Sequence, residues 1–87
     1  AGVSMRYFFH IRNEDGRLAK DPEGQEFADL SEVEDHAMAS AKEILAEGLL
    51  AGKPVRSGVG FEICDENQIL MLRFPFSEAA EKPGAQP

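Results

Sequence analysis

A single stretch of the chain carries a helical repeat, and it lies between two stretches that alternate. Across residues 31–51, at 100° per residue, Val33, Ala37, Ala41, Ile44, Leu45 and Gly48 fall on one face, with Asp35, Lys42, Glu43, Ala46 and Glu47 opposite. The segments before and after it repeat every second position, which is strand periodicity. A lone amphipathic helix must bury its apolar stripe against something, and the flanking strands supply the surface. The order strand, strand, helix, strand, strand predicts an α+β fold: a two-layer sandwich with one helix on one face of a mainly antiparallel four-stranded sheet. At 87 residues the chain has room for one such domain.

Local chemistry sets the expected boundaries. Residues 6–12, R-Y-F-F-H-I-R, are aromatic and β-branched over a typical strand length, and Asn13-Glu14-Asp15-Gly16 closes a hairpin onto a short return strand at residues 17–20. Asp21-Pro22-Glu23-Gly24 has Pro second and Gly fourth, a type I turn signature. Residues 25–28 fit either an edge strand or a crossover into the helix. Ser31 with Glu34 forms a capping box, and Asp29 with Glu32 offers a competing cap two residues earlier. Gly52 followed by Lys53 and Pro54 stops the helix. After a glycine-bearing connection at residues 55–60, residues 61–64 alternate as a strand, residues 65–67 turn, and residues 68–76 return as the most apolar segment. The first and last strands, being the most apolar, are expected side by side and parallel at the centre of the sheet. Residues 1–4 precede the first methionine and read as an appendage, residues 5–76 as the domain, and residues 77–87, rich in Pro, Gly and Ala, as a frayed tail.

Alternation then assigns faces. If Tyr7, Phe9, Ile11, Phe61, Ile63, Leu70, Leu72 and Phe74 point at the helix, the opposite face carries Arg6, Phe8, His10, Arg12, Glu62, Cys64, Ile69, Met71 and Arg73. The strip of Phe8, Ile69 and Met71, bordered by three arginines and a histidine on a chain of formal charge −7, is the composition of a protein interface. The competing reading is that residues 25–28 or the tail fold over it. Arg6, Phe8, His10, Arg12, Ile69, Met71 and Arg73 are therefore the expected partner-binding residues, for a homodimer or for a dock to an acidic partner.

The remaining chemistry is thin. His10, Cys64 and Asp65 are the types of a base, nucleophile and orienter, yet no helix N-terminus stands beside Cys64 to activate it. His10 among Arg6, Arg12 and Arg73 suits an anion, although pairing of the arginines with Glu62 is the plainer reading. His36 reads as a solvated surface histidine. Asn13, Asp15, Asp21 and Glu23 gather at turns, but Arg17 and Lys20 break the pattern of a calcium loop. No zinc spacing, phosphate loop or nucleophile elbow occurs, so no cofactor, no metal and no enzymatic activity are expected. RNA stacked on Phe8 with the arginines on its backbone is the alternative function, opposed by the acidic charge. One cysteine excludes an internal disulfide and points to a reducing, cytoplasmic setting, and no apolar run approaches the ~20 residues of a membrane span.

Tyr7-Phe8-Phe9-His10-Ile11-Arg12, a Y-x-F-H-x-R motif, followed by Asp15-Gly16, by the D-x-E-G of Asp21-Pro22-Glu23-Gly24 and by an alanine-rich helix, resembles a family of short bacterial proteins known only as a domain of unknown function. The likeness spans residues 6–76. It implies a stand-alone cytoplasmic domain and brings no activity, cofactor or catalytic residue with it. A weaker likeness, in the order hairpin, turn, acidic helix, strand, is to the N-terminal domain of HicB-type antitoxins, without the Gly-Cys segment those carry before the helix. The leading expectation is a non-catalytic interaction or regulatory module.

Overall fold

β1 (Met5–Arg12) is the strand on which the rest of the sheet is assembled. The computed structural model describes residues 3–54 and 58–81. β1 pairs antiparallel with β2 (Leu18–Ala19) through Ile11 and Arg12, and with β3 (Gln25–Phe27) through Met5, Arg6 and Tyr7. β4 (Gly60–Cys64) runs antiparallel to residues 8–12 of β1, and β5 (Leu70–Pro75) lies beyond it. Among the described residues the sheet therefore has five strands, not four, because residues 25–27 take the edge-strand option. The expected parallel adjacency of the first and last strands is also wrong. β4 stands between them, every pairing is antiparallel, and β5 lies at the edge. β1 reaches β4 only through β2, β3 and the helix, whereas β5 returns from β4 through the short turn at residues 65–69, a connection that only an antiparallel neighbour allows.

α1 (Leu30–Leu50) starts from the Asp29 cap, the earlier of the two candidates, two residues before the start that a Ser31 cap would give. The Asp29 carboxylate accepts from the Glu32 N–H at 2.9 Å, and the Glu32 carboxylate accepts from the Ala28 N–H at 3.0 Å. Each acid satisfies a donor that would otherwise be orphaned, and both lie where the helix dipole favours negative charge. At the other end the Lys53 N–H bonds Gly48 O at 2.7 Å and the Gly52 N–H bonds Leu49 O at 3.1 Å. These two bonds are the Schellman pattern, with Gly52 at φ 73° in the left-handed position that favours glycine.

The buried residues of α1 are Val33, Ala37 and Ala41, the small-residue stripe read from the sequence. They share one core with Tyr7, Phe27, Phe61, Ile63 and Phe74, with Phe9, Ile11, Ile44, Leu45 and Leu72 packed against it. His36, expected in solvent, instead meets the rings of Phe9 and Phe27, each at 5.3 Å between centroids. α2 (Phe76–Glu81) takes the last residue of the expected final strand and the first five of the expected 77–87 tail; Phe76 and Ala79 are buried, and Phe76 stacks edge-on against Phe61 at 4.9 Å. Residues 82–87 and part of the 55–60 connection lie outside the described residues. Among the described residues no helix is long and apolar enough to cross a membrane.

Candidate protein interface

Register decides which side chains share a face, because residues opposite one another in a ladder point the same way. Phe9, Ile63 and Leu72 form one row and Ile11, Phe61 and Phe74 the next, all toward the core. His10, Glu62 and Arg73 form a row on the outer face. The third row departs from simple alternation. Leu72 opposes Ile63 but Leu70 opposes Cys64, so Met71 is an extra residue, a β-bulge. Leu70, expected to face the helix, is thereby turned to the outer face, in a row with Cys64 and Phe8. Alternation cannot foresee this, since one inserted residue exchanges the faces of everything beyond it.

The expected interface divides into a covered half and an open half. On β1, the link between β2 and β3 bends over the outer face. The Asp21 N–H donates to His10 Nδ1 at 3.0 Å, which leaves the proton on Nε2, facing Gln68 Oε1 at 3.3 Å. His10 is 3 % exposed, so its place in the exposed partner surface is corrected: it is a buried tie between three chain segments. Asp21 also accepts from Phe9 N at 3.1 Å, a β1 donor lying between the stretches that β2 and β3 pair. Its other oxygen accepts from Glu23 N and Gly24 N at 3.2 and 3.1 Å, so the carboxylate, not a backbone carbonyl, holds the Asp21-to-Gly24 bend. Partial burial pushes the Asp21 carboxyl up, but the N–H groups of Gly24, Phe9 and Glu23 outweigh it and leave it below the usual range. Gly24 has φ 69°, and a Cβ there would lie 2.9 Å from both Phe8 Cε2 and Tyr7 O. That contact explains both the glycine and the half-buried state of Phe8.

The arginines are not gathered into an anion site. Arg6 donates to Glu23 O and to Glu26, at 2.8 and 3.3 Å. Arg12 grips Glu62 with two N–H groups at 2.9 and 3.0 Å and reaches Gly16 O at 2.7 Å. The hydrogen bonds from Arg12, opposed by burial and aided by the Arg12 and Arg73 charges, hold the Glu62 carboxyl below its usual range. Arg73 stands looser, 3.8 Å from Glu62, with its side chain 69 % exposed. An open cleft of about 310 Å³ lies beside Arg12, Glu62 and Arg73. Both of its cations already share the one carboxylate. Burial pushes the Cys64 thiol up, with Glu62 and Asp65 adding to the effect, which is opposite to what a nucleophile needs. Among the described residues no cluster of His, Cys, Asp and Glu could hold a metal ion.

The open half is β5. Ile69, Leu70 and Met71 are 57 %, 44 % and 41 % exposed, and among the described residues no strand pairs with the outer edge of β5. The 65–69 turn sets this edge: the Gln68 N–H bonds Asp65 O, the Asp65 N–H bonds Ile69 O, and the Asp65 carboxylate accepts from Asn67 N and Ile69 N. Gln68 sits at φ 64°, in the left-handed region, and that conformation brings its amide to His10. Leu49 and Leu50 are also exposed, at the end of α1, but a helix end offers no row of ladder groups. Of the seven expected residues, Ile69, Met71 and Arg73 lie together on open surface. Phe8, His10, Arg6 and Arg12 are held within the chain, and Leu70 is the member that sequence reasoning missed.

No curated protein and no solved structure matches this chain. A family model does, over residues 6–77, and it is described as a domain of unknown function, DUF6894. That span includes every strand after the first residue of β1, all of α1 and both turns of the outer face, and the chain belongs to the DUF6894 family.

Proposed function

We propose that this protein is a non-catalytic association module that binds protein through the outer edge of β5 and the side chains of Ile69, Leu70, Met71 and Arg73 beside it. The observation that carries the reading is an apolar run exposed on a strand edge that is unpaired among the described residues, the place where an extended segment can add to a sheet. The commitment of both His10 ring nitrogens to Asp21 and Gln68, and the raised Cys64 thiol, support a role without catalysis. RNA on the sheet is the weaker reading, because Phe8 is half-buried against Gly24, and Arg6 and Arg12 are held by Glu26 and Glu62, which leaves Arg73 alone loosely placed on this face.

Affinity capture with the full chain tests this. Partners held by the wild type should be lost from Met71→Glu and Arg73→Glu and kept by Glu43→Lys on the exposed side of α1. Retention of the same partners by all three variants would contradict the proposal.

A further inference from the structure

We infer that the occupant of the β5 edge is a second copy of this chain, paired antiparallel about a two-fold axis near Met71; this rests on the reading of β5 as the association surface. The sheet's other rim is guarded. β2 has two residues between Arg17 and Lys20, and β3 has three, including the exposed Gln25 and Glu26, so both resist edge pairing. β5 has six residues, and from residue 67 to residue 77 Arg73 is its only charge. The chain's net charge of −7 thus does not set copy against copy along this edge.

The hairpin is also polar along its length. Acidic Asp65 and Glu66 stand at one end, Ile69 to Leu72 in the middle, and exposed Arg73 at the other end. An antiparallel copy centred on Met71 or Leu72 sets Arg73 opposite residues 69 to 71 of its mate, toward the mate's acidic turn and away from its own symmetry partner. The apolar middles then meet each other. Such an isologous contact uses every complementary pair twice. Pro75, which has no N–H, ends the ladder before α2. A foreign strand would need the same sequence of charges in reverse, which a copy supplies by symmetry.

Sedimentation velocity of the full chain at low and high micromolar concentration reads this directly. Wild type should sediment as a dimer, and Met71→Glu should weaken dimerisation at least about tenfold, since the change enters twice. Because Met71 is an exposed bulge residue, circular dichroism should show that variant folded. Arg73→Glu should weaken the dimer, and Glu66→Arg in the same chain should restore it. A monomeric wild type at every concentration overturns the inference, as does a dimer indifferent to all these changes. Loss of foreign partners on Met71→Glu from a monomeric wild type would leave the association reading standing and remove the second copy as its occupant.

Discussion

The backbone N–H of Asp21 donates to Nδ1 of His10 at 3.0 Å, and this bond holds the D-x-E-G bend against β1. It fixes the tautomer of a histidine that is almost wholly enclosed, and His10 in turn places its Nε2 proton toward Gln68. One side chain thereby joins β1, the link between β2 and β3, and the turn that starts β5. The outer face is covered on the β1 side and, among the described residues, open toward β5.

Asp21 should make the fold acid-sensitive. Its folded carboxyl lies below the ordinary value, so its stabilisation is complete above the unfolded pKa near ~4 and is lost as pH falls through the lower folded value. Glu62 shifts in the same direction and adds to the same window. Asp21→Ala should cost about 1–3 kcal/mol at neutral pH, because three N–H groups lose a charged acceptor. Urea midpoints measured from pH 7 down to pH 3 should show a shallower acid loss in Asp21→Asn than in wild type.

Gln68 carries opposing effects that two substitutions separate. A non-glycine residue in the left-handed region costs about 1–2 kcal/mol, and the bond to His10 offsets part of that. Gln68→Ala keeps the strain and loses the bond, whereas Gln68→Gly loses both. Denaturation should find the alanine variant the less stable of the two by about 1 kcal/mol.

Two glycines at positive φ should respond unequally to alanine. At Gly16 a Cβ meets nothing within 4 Å, so only the backbone preference, about 1 kcal/mol, is at stake. At Gly24 the same Cβ strikes Tyr7 O and the Phe8 ring at 2.9 Å. Gly24→Ala should therefore lower the unfolding midpoint well beyond Gly16→Ala. Equal effects would mean that the bend does not rest on β1.

The small stripe of α1 sets how close the helix approaches the sheet. Ala41 is fully buried, so Ala41→Leu should overpack the contact at about 1–3 kcal/mol, while Ala46→Leu on the exposed side should change stability by less than about 0.5 kcal/mol. Calorimetry of the two variants checks the pair.

What the sequence made legible was local. The α1 stripe, the Gly52 stop, the strand character of β1 and the hairpin turns each depend on neighbours a few residues away, and each stands where spacing put it. Strand order did not follow from apolar content: β5 is the most apolar segment yet takes the edge, leaving Leu70 and Met71 in the open. Period-two reasoning also presumes an unbroken ladder, and the bulge at Met71 reassigned Leu70. His10 looked exposed because alternation knows only the two faces of a sheet; the loop that closes over one of them is held by Asp21 hydrogen bonds that no period reveals.

Amide hydrogen exchange along β5, followed as a function of protein concentration, tests the association claim most directly. Pairing of this edge with a second copy should slow exchange of the residue 69–74 amides as concentration rises, leaving β2 and β3 unchanged. Exchange along β5 that is independent of concentration, or protection that appears instead around Leu49 and Leu50, would contradict it.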